Sequence, residues 1–247
     1  MRFLVGNWKM NGNFEFAKSY MSSLAQHEIV RNLPPEIKLI SCPPAIWINQ
    51  LHAITANTNI ILGGQDCHFA TDGAFTGDIS AQMLHDTGCE YVIVGHSERR
   101  RSHGENDAAV AHKANAALAA ELQPIICVGE TKLQRDQNVH RAAIEKQIKN
   151  LLAEIIPHHS LIIAYEPVWA IGTGHTPTIA EIKEMFDVII NECRRHGIYL
   201  INLLYGGSVN AENAPALFEI ANLSGLLVGN ASTQLQQWTE IIKTAVK

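Results

Sequence analysis

A lysine, a histidine and a glutamate, each just after a short apolar run, are the residues best suited to acid–base chemistry. They are Lys9, His96 and Glu166. A carboxylate at the end of an apolar strand costs desolvation energy, which raises its pKa and makes it a usable base. Backbone N–H groups of a helical turn after His96 would disfavour its cation and leave a neutral hydrogen-bond donor. On spacing alone, Lys9 also fits a surface lysine and His96 a structural histidine.

Two glycine-containing turns near the end of the chain are suited to binding an anion. Gly206-Gly207-Ser208 and Gly229-Asn230-Ala231 each follow an apolar run. Glycine lets backbone N–H groups approach an oxyanion closely, and the last two loops of a β/α barrel commonly bind phosphate. Each turn alone fits an ordinary loop, but together they predict a phosphorylated substrate. The segment 167–174 is Pro-led and Gly-rich with an apolar middle, which predicts a closing lid.

Eight short apolar runs, separated by longer amphipathic segments, must position these residues. The runs are continuous, as expected for parallel strands that are buried on both faces. The predicted strands are Arg2–Gly6, Ile37–Ser41, Ile60–Gly64, Tyr91–Val94, Pro124–Val128, Leu161–Ala164, Leu200–Leu204 and Leu226–Val228. Eight units in 247 residues give about 31 residues per unit, which suits a βα module.

This alternation of strand and helix segments predicts an α/β fold, a closed (β/α)8 barrel of eight parallel strands ringed by helices. We expect residues 1–247 to form a single domain of this kind. The main alternative, an open doubly wound sheet, normally uses fewer strands and often an early Gly-rich dinucleotide fingerprint, which this sequence lacks. Capping-box spacing at Ser102/Glu105 and Thr178/Glu181 predicts the starts of two helices.

Composition excludes several classes of protein. The net charge of −5 and the lack of a Lys/Arg block argue against a nucleic-acid partner. No apolar stretch approaches the ~18 residues of a membrane span, and no secretory signal is visible. The five scattered cysteines predict reduced core thiols in a cytoplasmic protein, with Cys127 as a packed thiol. The twelve histidines lack paired ligand spacing, so we expect no metal.

Six longer motifs, in order along the chain, carry a resemblance to one family. They are GNWKMN (6–11), GAFTG (73–77), VGHSERR (94–100), PIICVGE (124–130), AYEPVWAIGTG (164–174) and YGGSV (205–209). Together they resemble the triosephosphate isomerases, over essentially the whole chain. The resemblance implies a TIM barrel that interconverts dihydroxyacetone phosphate and D-glyceraldehyde 3-phosphate through an enediol(ate), in glycolysis and gluconeogenesis, with no cofactor.

The resemblance also implies a role for each matching residue. Glu166 would remove the proton from the carbon beside the carbonyl, and Lys9 would supply positive charge while Asn7 helps to place the substrate. Neutral His96 would polarise the carbonyl and move protons between the two oxygens; a neutral histidine is already the known example of pKa tuning in this family. Backbone N–H groups near Gly172, Ser208, Gly229 and Asn230 would hold the phosphate. Thr76 would reach across a two-fold interface, which makes the working enzyme a homodimer.

Four residues, in three segments, depart from the family pattern. His175 and Pro177 replace Lys and Ala at the far end of the lid, and because proline fixes φ we expect slower or less complete lid motion. Asn230 stands where a second glycine is common; asparagine tolerates a positive φ and keeps its N–H, so phosphate binding should survive. Asp66 stands where Asn is frequent and adds a negative charge near the expected dimer contact.

Two other functions are open. The first is a catalytically silent barrel that binds phosphate or serves as a scaffold; loss of Lys9, His96 or Glu166 would have favoured it, and all three are present. The second is another phosphosugar enzyme, such as an epimerase, an aldolase-like enzyme or a synthase. The Glu166-Pro167 lid and the His96 motif argue against it, because those reactions need metals, Schiff-base lysines or different acids.

Overall fold

Eight parallel strands close into a barrel in the order in which they occur along the chain. The computed structural model describes residues 1–156, 160–171 and 176–246. The strands are β1 (Arg2–Asn7), β2 (Ile37–Cys42), β3 (Ile60–Gly64), β4 (Cys89–Val94), β5 (Gln123–Val128), β6 (Ser160–Tyr165), β7 (Leu200–Tyr205) and β8 (Leu223–Val228). The predicted barrel is therefore confirmed, and the open doubly wound sheet is wrong.

Helices surround the barrel and connect its strands. They are α1 (Phe14–Gln26), α2 (Glu28–Arg31), α3 (Ala45–Thr55), α4 (Ala81–Asp86), α5 (Ser97–His103), α6 (Asp107–Ala119), α7 (Lys132–Asp136), α8 (His140–Glu154), α9 (Ile179–Arg195), α10 (Ala214–Phe218) and α11 (Leu235–Val246). Short 3-10 helices follow β6 (Val168–Ala170) and β8 (Asn230–Thr233). Within the described ranges, no helix is long and apolar enough to cross a membrane.

Closure of the barrel joins the two ends of the chain. Phe3 of β1 pairs with Gly225 of β8, and the Arg2 guanidinium donates to the carbonyl of Ala245 at 2.6 Å. The sequence places the start of β8 three residues too late because Ser224 and Gly225 interrupt its apolar run. A Cβ at Gly225 would lie 2.0 Å from the carbonyl oxygen of Phe3, so this strand pairing requires glycine.

The apolar core has two layers, which follow from the alternation of side chains along each strand. One layer fills the inside of the barrel and includes Phe3, Val5, Ile93 and Ile125. The other lies between the strands and the helices; Leu4 belongs to it. The core thus fixes the strands firmly and leaves their carboxyl ends to carry polar side chains.

The predicted helix starts have different outcomes. Thr178 caps α9 in a capping box with Glu181, as predicted. Ser102 lies inside α5, and the next helix is capped by the Asn106 side chain, so that prediction is wrong. The spacing alone could not show that Glu105 is engaged elsewhere, in contacts with Arg99 and Lys113.

Candidate active site

A cavity of about 390 Å³ opens at the carboxyl ends of the strands. It is lined by residues that lie far apart in the chain but come together at the carboxyl ends of strands β1, β4, β6, β7 and β8. Of the residues predicted for the site, those that line it are Asn7, Lys9, His96, Glu166, Ser208, Gly229 and Asn230. The fold therefore brings all of these together in one place.

Lys9 enters the cavity from the loop after β1. Its Nζ lies 2.7 Å from Oε1 of Glu98, and its side chain is 27% exposed. Its backbone adopts a left-handed conformation with φ of 53°, which is uncommon for a residue other than glycine. The Asn7 side chain accepts a hydrogen bond from the Lys9 N–H at 3.0 Å. Contacts with Glu98 and Asn7 therefore hold Lys9 at the cavity wall.

His96 and Glu166 face each other in the buried part of the cavity. Nε2 of His96 lies 3.0 Å from Oε1 of Glu166, and the Ser97 N–H donates to Oε2 at 3.0 Å. The Glu98 N–H donates to Nδ1 of His96 at 3.2 Å, as expected at the start of α5. An acceptor at Nδ1 leaves the proton of the imidazole on Nε2, where it is donated to Glu166.

Mutual contact sets the pKa values of this pair. Burial raises the pKa of Glu166, but His96, the Ser97 N–H and Lys9 lower it, so that it lies below its usual value. This is opposite to the sequence expectation, which considered burial alone. Burial lowers the pKa of His96, whereas the charge and hydrogen bond of Glu166 raise it, and the net direction is upward. In this arrangement the two groups stabilise each other's charged forms.

A glycine allows the loop after β7 to approach Glu166. A Cβ at Gly206 would lie 2.9 Å from Cγ of Glu166, so a larger residue would displace the carboxylate. Ser208 is anchored by its hydroxyl, which donates to the carbonyl of Ala170 at 2.8 Å. Asn230 begins a 3-10 helix, and its φ is not positive. The ability of asparagine to adopt a positive φ is therefore not needed at this position.

Other predicted residues lie elsewhere. Gly172 and His175 fall outside the described residues. Thr76 lies on an exposed loop between β3 and α4 and does not line the cavity. At the far end of the predicted lid, Thr176 is exposed and Pro177 is buried, directly before the cap of α9.

The comparison with known proteins decides the family. The family model described as triosephosphate isomerase matches residues 2–245. The chain belongs to the triosephosphate isomerase family. Membership of this family makes it an enzyme of the isomerase class, as the six sequence motifs predicted.

Individual relatives agree over the full length. A triosephosphate isomerase of Xanthobacter flavus is 44% identical over 243 residues, covering 97% of this chain and 96% of the relative. One of Gluconacetobacter diazotrophicus is 43% identical over 248 residues, covering 99% and 98%. The crystal structure of triosephosphate isomerase from Bartonella henselae superposes with a TM-score of 0.83 at 35% identity, covering 100% of this chain and 99% of that one.

Sequence reasoning assigned no role to two carboxylates near the site of this isomerase. Glu98 contacts both Lys9 and His96, and its place in the motif after His96 was the available signal. Glu130 is fully buried, and its Oε1 accepts from Arg135, the Tyr165 hydroxyl at 3.0 Å and the Trp169 indole at 2.8 Å. Glu130 therefore fixes the segment directly after Glu166.

The extra carboxylate of Asp66 is paired. Both of its oxygens lie 2.8 Å from Nζ of Lys113, and Nε of Arg99 lies 2.9 Å from one of them. Glu105 contacts the same two cations, at 2.5 Å from Lys113 and 2.6 Å from Arg99. The four side chains join the loop after β3 to α5 and α6. Among the described residues, no group of three His, Cys, Asp or Glu side chains could hold a metal ion.

Proposed function

We propose that this isomerase interconverts dihydroxyacetone phosphate and D-glyceraldehyde 3-phosphate through an enediol(ate), without a cofactor. The observation that carries the proposal is the 3.0 Å contact between Glu166 and Nε2 of His96, in the cavity that Lys9 also lines. A base, a hydrogen-bond donor and a cation therefore face one space. That is what proton abstraction beside a carbonyl requires.

The reaction begins when the Glu166 carboxylate takes a proton from the carbon next to the carbonyl. The electrons of the broken C–H bond form the C=C bond of the enediolate, and the carbonyl electron pair moves to oxygen. His96 and Lys9 stabilise the negative charge that develops there. After protons move between the two oxygens through His96, Glu166 returns its proton to the neighbouring carbon. No atom is gained or lost, so no co-reactant is needed.

Substrate binding must separate Glu166 from His96, because the Nε2–H that now bonds to Glu166 is the donor for the substrate oxygen. Once this contact is replaced, burial and Lys9 lower the pKa of His96 without the opposing effect of Glu166. The histidine then acts as a neutral donor. The Glu98 N–H on Nδ1 supports this form, because it needs a lone pair there.

The phosphate is proposed to bind at the glycine-containing end of the cavity. Ser208, Gly229 and Asn230 line this end, and Gly172 joins them by analogy with the family. Backbone N–H groups suit an oxyanion because they carry partial positive charge without needing a titratable side chain. The net charge of −5 gives no general attraction for an anion, so Lys9 and these N–H groups must supply it locally.

A coupled assay with glyceraldehyde 3-phosphate tests the proposal. Turnover should persist in excess chelator and fall by roughly a hundredfold or more in Glu166→Asp, which moves the carboxylate back by one methylene. A wild-type protein without turnover would leave the silent barrel as the better hypothesis. Turnover abolished by chelator would favour another phosphosugar enzyme. A fully active His96→Gln variant would contradict the role of the histidine.

We infer that the working enzyme is a homodimer formed through the loop between β3 and α4. Phe69, Phe75 and Met83, which we call the apolar patch, are 49%, 42% and 53% exposed. The rings of Phe69 and Phe75 lie 6.3 Å apart, and Thr76 is next to them. A second copy covering this patch would bring Thr76 to the neighbouring site, as the family resemblance implies.

Two further properties belong to the proposal. A single domain over residues 1–247 is supported by the pairing of β1 with β8, since the barrel is complete only when the two ends meet. A cytoplasmic location is supported by the five cysteines, all of which are free and buried.

A further inference from the structure

Gln65, the residue directly after β3, touches the loop that carries Lys9. Its Nε2 donates to the carbonyl of Lys9 at 2.9 Å and to the carbonyl of Cys42 at 2.9 Å. Two carbonyl acceptors fix which end of the carboxamide is nitrogen, because the side-chain oxygen has no proton to donate. Both protons of the amide are thus used to join the ends of β1 and β2.

The hydrogen bond to Lys9 coincides with strained backbone. Lys9 has φ of 53°, and a lysine pays for this left-handed conformation because its Cβ crowds the peptide. Side chains hold both peptide groups that flank it: Asn7 accepts from its N–H and Gln65 donates to its carbonyl. These two hydrogen bonds oppose relaxation of the Lys9 backbone toward a negative φ.

The loop after β3 is itself anchored to the element that carries His96. Asp66 follows Gln65 and is bound by Arg99 of α5 and by Lys113 of α6. α5 begins directly after His96. A short chain of contacts therefore runs from the helix beside the histidine, through Asp66 and Gln65, to the backbone of Lys9.

We propose that Gln65 is a positioning residue for the reaction, which holds Lys9 in its left-handed conformation and so keeps Nζ in the cavity. This inference rests on the proposed function, in which Lys9 supplies positive charge to the substrate. Gln65 itself does not line the cavity and needs no contact with the substrate. In this proposal its effect on the reaction passes through Lys9.

A double-mutant cycle tests this coupling. Gln65→Met keeps the length of the side chain but removes both donors, and should lower kcat/KM about tenfold, with part of the loss in KM. In a Lys9→Met background, Gln65→Met should lower kcat/KM less than twofold, because no cation remains to be positioned. An equal loss in both backgrounds, or a loss below twofold with Lys9 present, would overturn the inference.

Gln147→Met is the matched control. Gln147 also bridges backbone groups, since it bonds to both the N–H and the carbonyl of Gly129, but it does not contact the Lys9 loop. Its effect on kcat/KM should be the same with and without Lys9. If Gln65→Met does not fold, Gln65→Asn, which is one methylene too short to reach both carbonyls, takes its place in the cycle.

A crystal structure of the Gln65 variant separates this inference from the proposed function. Lys9 should leave the left-handed region, and the distance from its Nζ to Oε1 of Glu98 should lengthen. Lys9 unchanged at a positive φ would refute the positioning role, whatever the activity. Wild-type protein without isomerase turnover would refute the proposed function while this structural result still stood.

Discussion

The contact between His96 and Glu166 gives the site its electrostatic character. Each group is buried, and burial alone disfavours both charges. Their 3.0 Å contact reverses this in each case: the pKa of Glu166 lies below its usual value and that of His96 above it. The contact thus favours the ionised form of Glu166, the proposed base, before substrate binds, and burial becomes important only when the pair is separated.

Removal of the charge on Glu166 should lower the pKa of His96. In Glu166→Gln, burial and Lys9 still lower this pKa, while the main influence that raises it is gone. We expect the histidine to lose its proton at a lower pH than in the wild type, as followed by the ¹⁵N chemical shifts of its imidazole. Glu98→Gln is the control, because the Glu98 carboxylate lies farther away, at 3.7 Å, and should have a smaller effect. An unchanged His96 titration in Glu166→Gln would contradict this account.

The sequence predicted which side chains meet in the site but not how these side chains affect one another. The types and spacing of Lys9, His96 and Glu166 were enough to place them at the ends of strands that share one edge. The pKa directions of His96 and Glu166 depend on the distance of 3.0 Å between these two residues, which lie far apart in the chain. Only the folded geometry contains that distance. The strain at Lys9 was hidden for the same reason.

Between elements, the charged cluster of Asp66, Arg99, Glu105 and Lys113 ties a loop to two helices. Its two carboxylates have opposite pKa directions although they share their cations. Burial raises the pKa of Asp66, and Lys113 and Arg99 only partly offset this. Burial also raises that of Glu105, but hydrogen bonds and charges from Lys113 and Arg99 outweigh it, so the net pKa is lowered. The ionised form of Asp66 therefore destabilises the folded state, whereas the ionised form of Glu105 stabilises it.

Neutral substitutions of the two acids should have opposite effects on stability. The raised pKa of Asp66 means that its ionised form costs the folded state free energy at pH 7, so Asp66→Asn should leave the free energy of unfolding unchanged or raise it. Ionised Glu105 contributes stability, so Glu105→Gln should lower it by about 1–3 kcal/mol. Urea unfolding at pH 7 measures both.

The pH dependence gives this prediction a second check. Asp66 has the raised pKa, so it takes up its proton at a higher pH than Glu105 does. Any increase in the free energy of unfolding caused by Asp66→Asn should therefore disappear at a higher pH than the decrease caused by Glu105→Gln. The stability from Glu105 is present above its unfolded pKa of about 4.3 and is lost as the pH falls through its lower folded pKa. A fall in stability for Asp66→Asn as large as that for Glu105→Gln would show that this assignment is wrong.

Element boundaries could be predicted where an apolar run begins and ends sharply. β3 agrees in full, whereas β8 begins earlier because Gly225 is required by a neighbouring backbone that the sequence does not show. Ser102 and Glu105 have the spacing of a capping box, yet Glu105 is held by Arg99 and Lys113. A local pattern fails where a distant cation competes for the same side chain.

The apolar patch lies in the segment from the loop after β3 to α4, and in the proposed dimer a second copy covers it. Phe75→Glu would place a charge on each side of a two-fold interface and should convert dimers to monomers. Sedimentation velocity over a dilution series measures this. Leu133→Glu is the control, since Leu133 on α7 is 64% exposed but lies outside the patch. A wild-type protein that is monomeric at every concentration would contradict the dimer.

Barrel closure also has a consequence for synthesis on the ribosome. β1 leaves the ribosome before β8, yet the two strands are neighbours in the barrel, and Arg2 bonds to Ala245, 243 positions later. At a synthesis rate of about 5–20 residues per second, the edge of β1 that pairs with β8 stays unpaired for roughly 10–50 s. An open strand edge can pair with other chains in the meantime. The nascent protein therefore keeps one edge of β1 unpaired until β8 has left the exit tunnel.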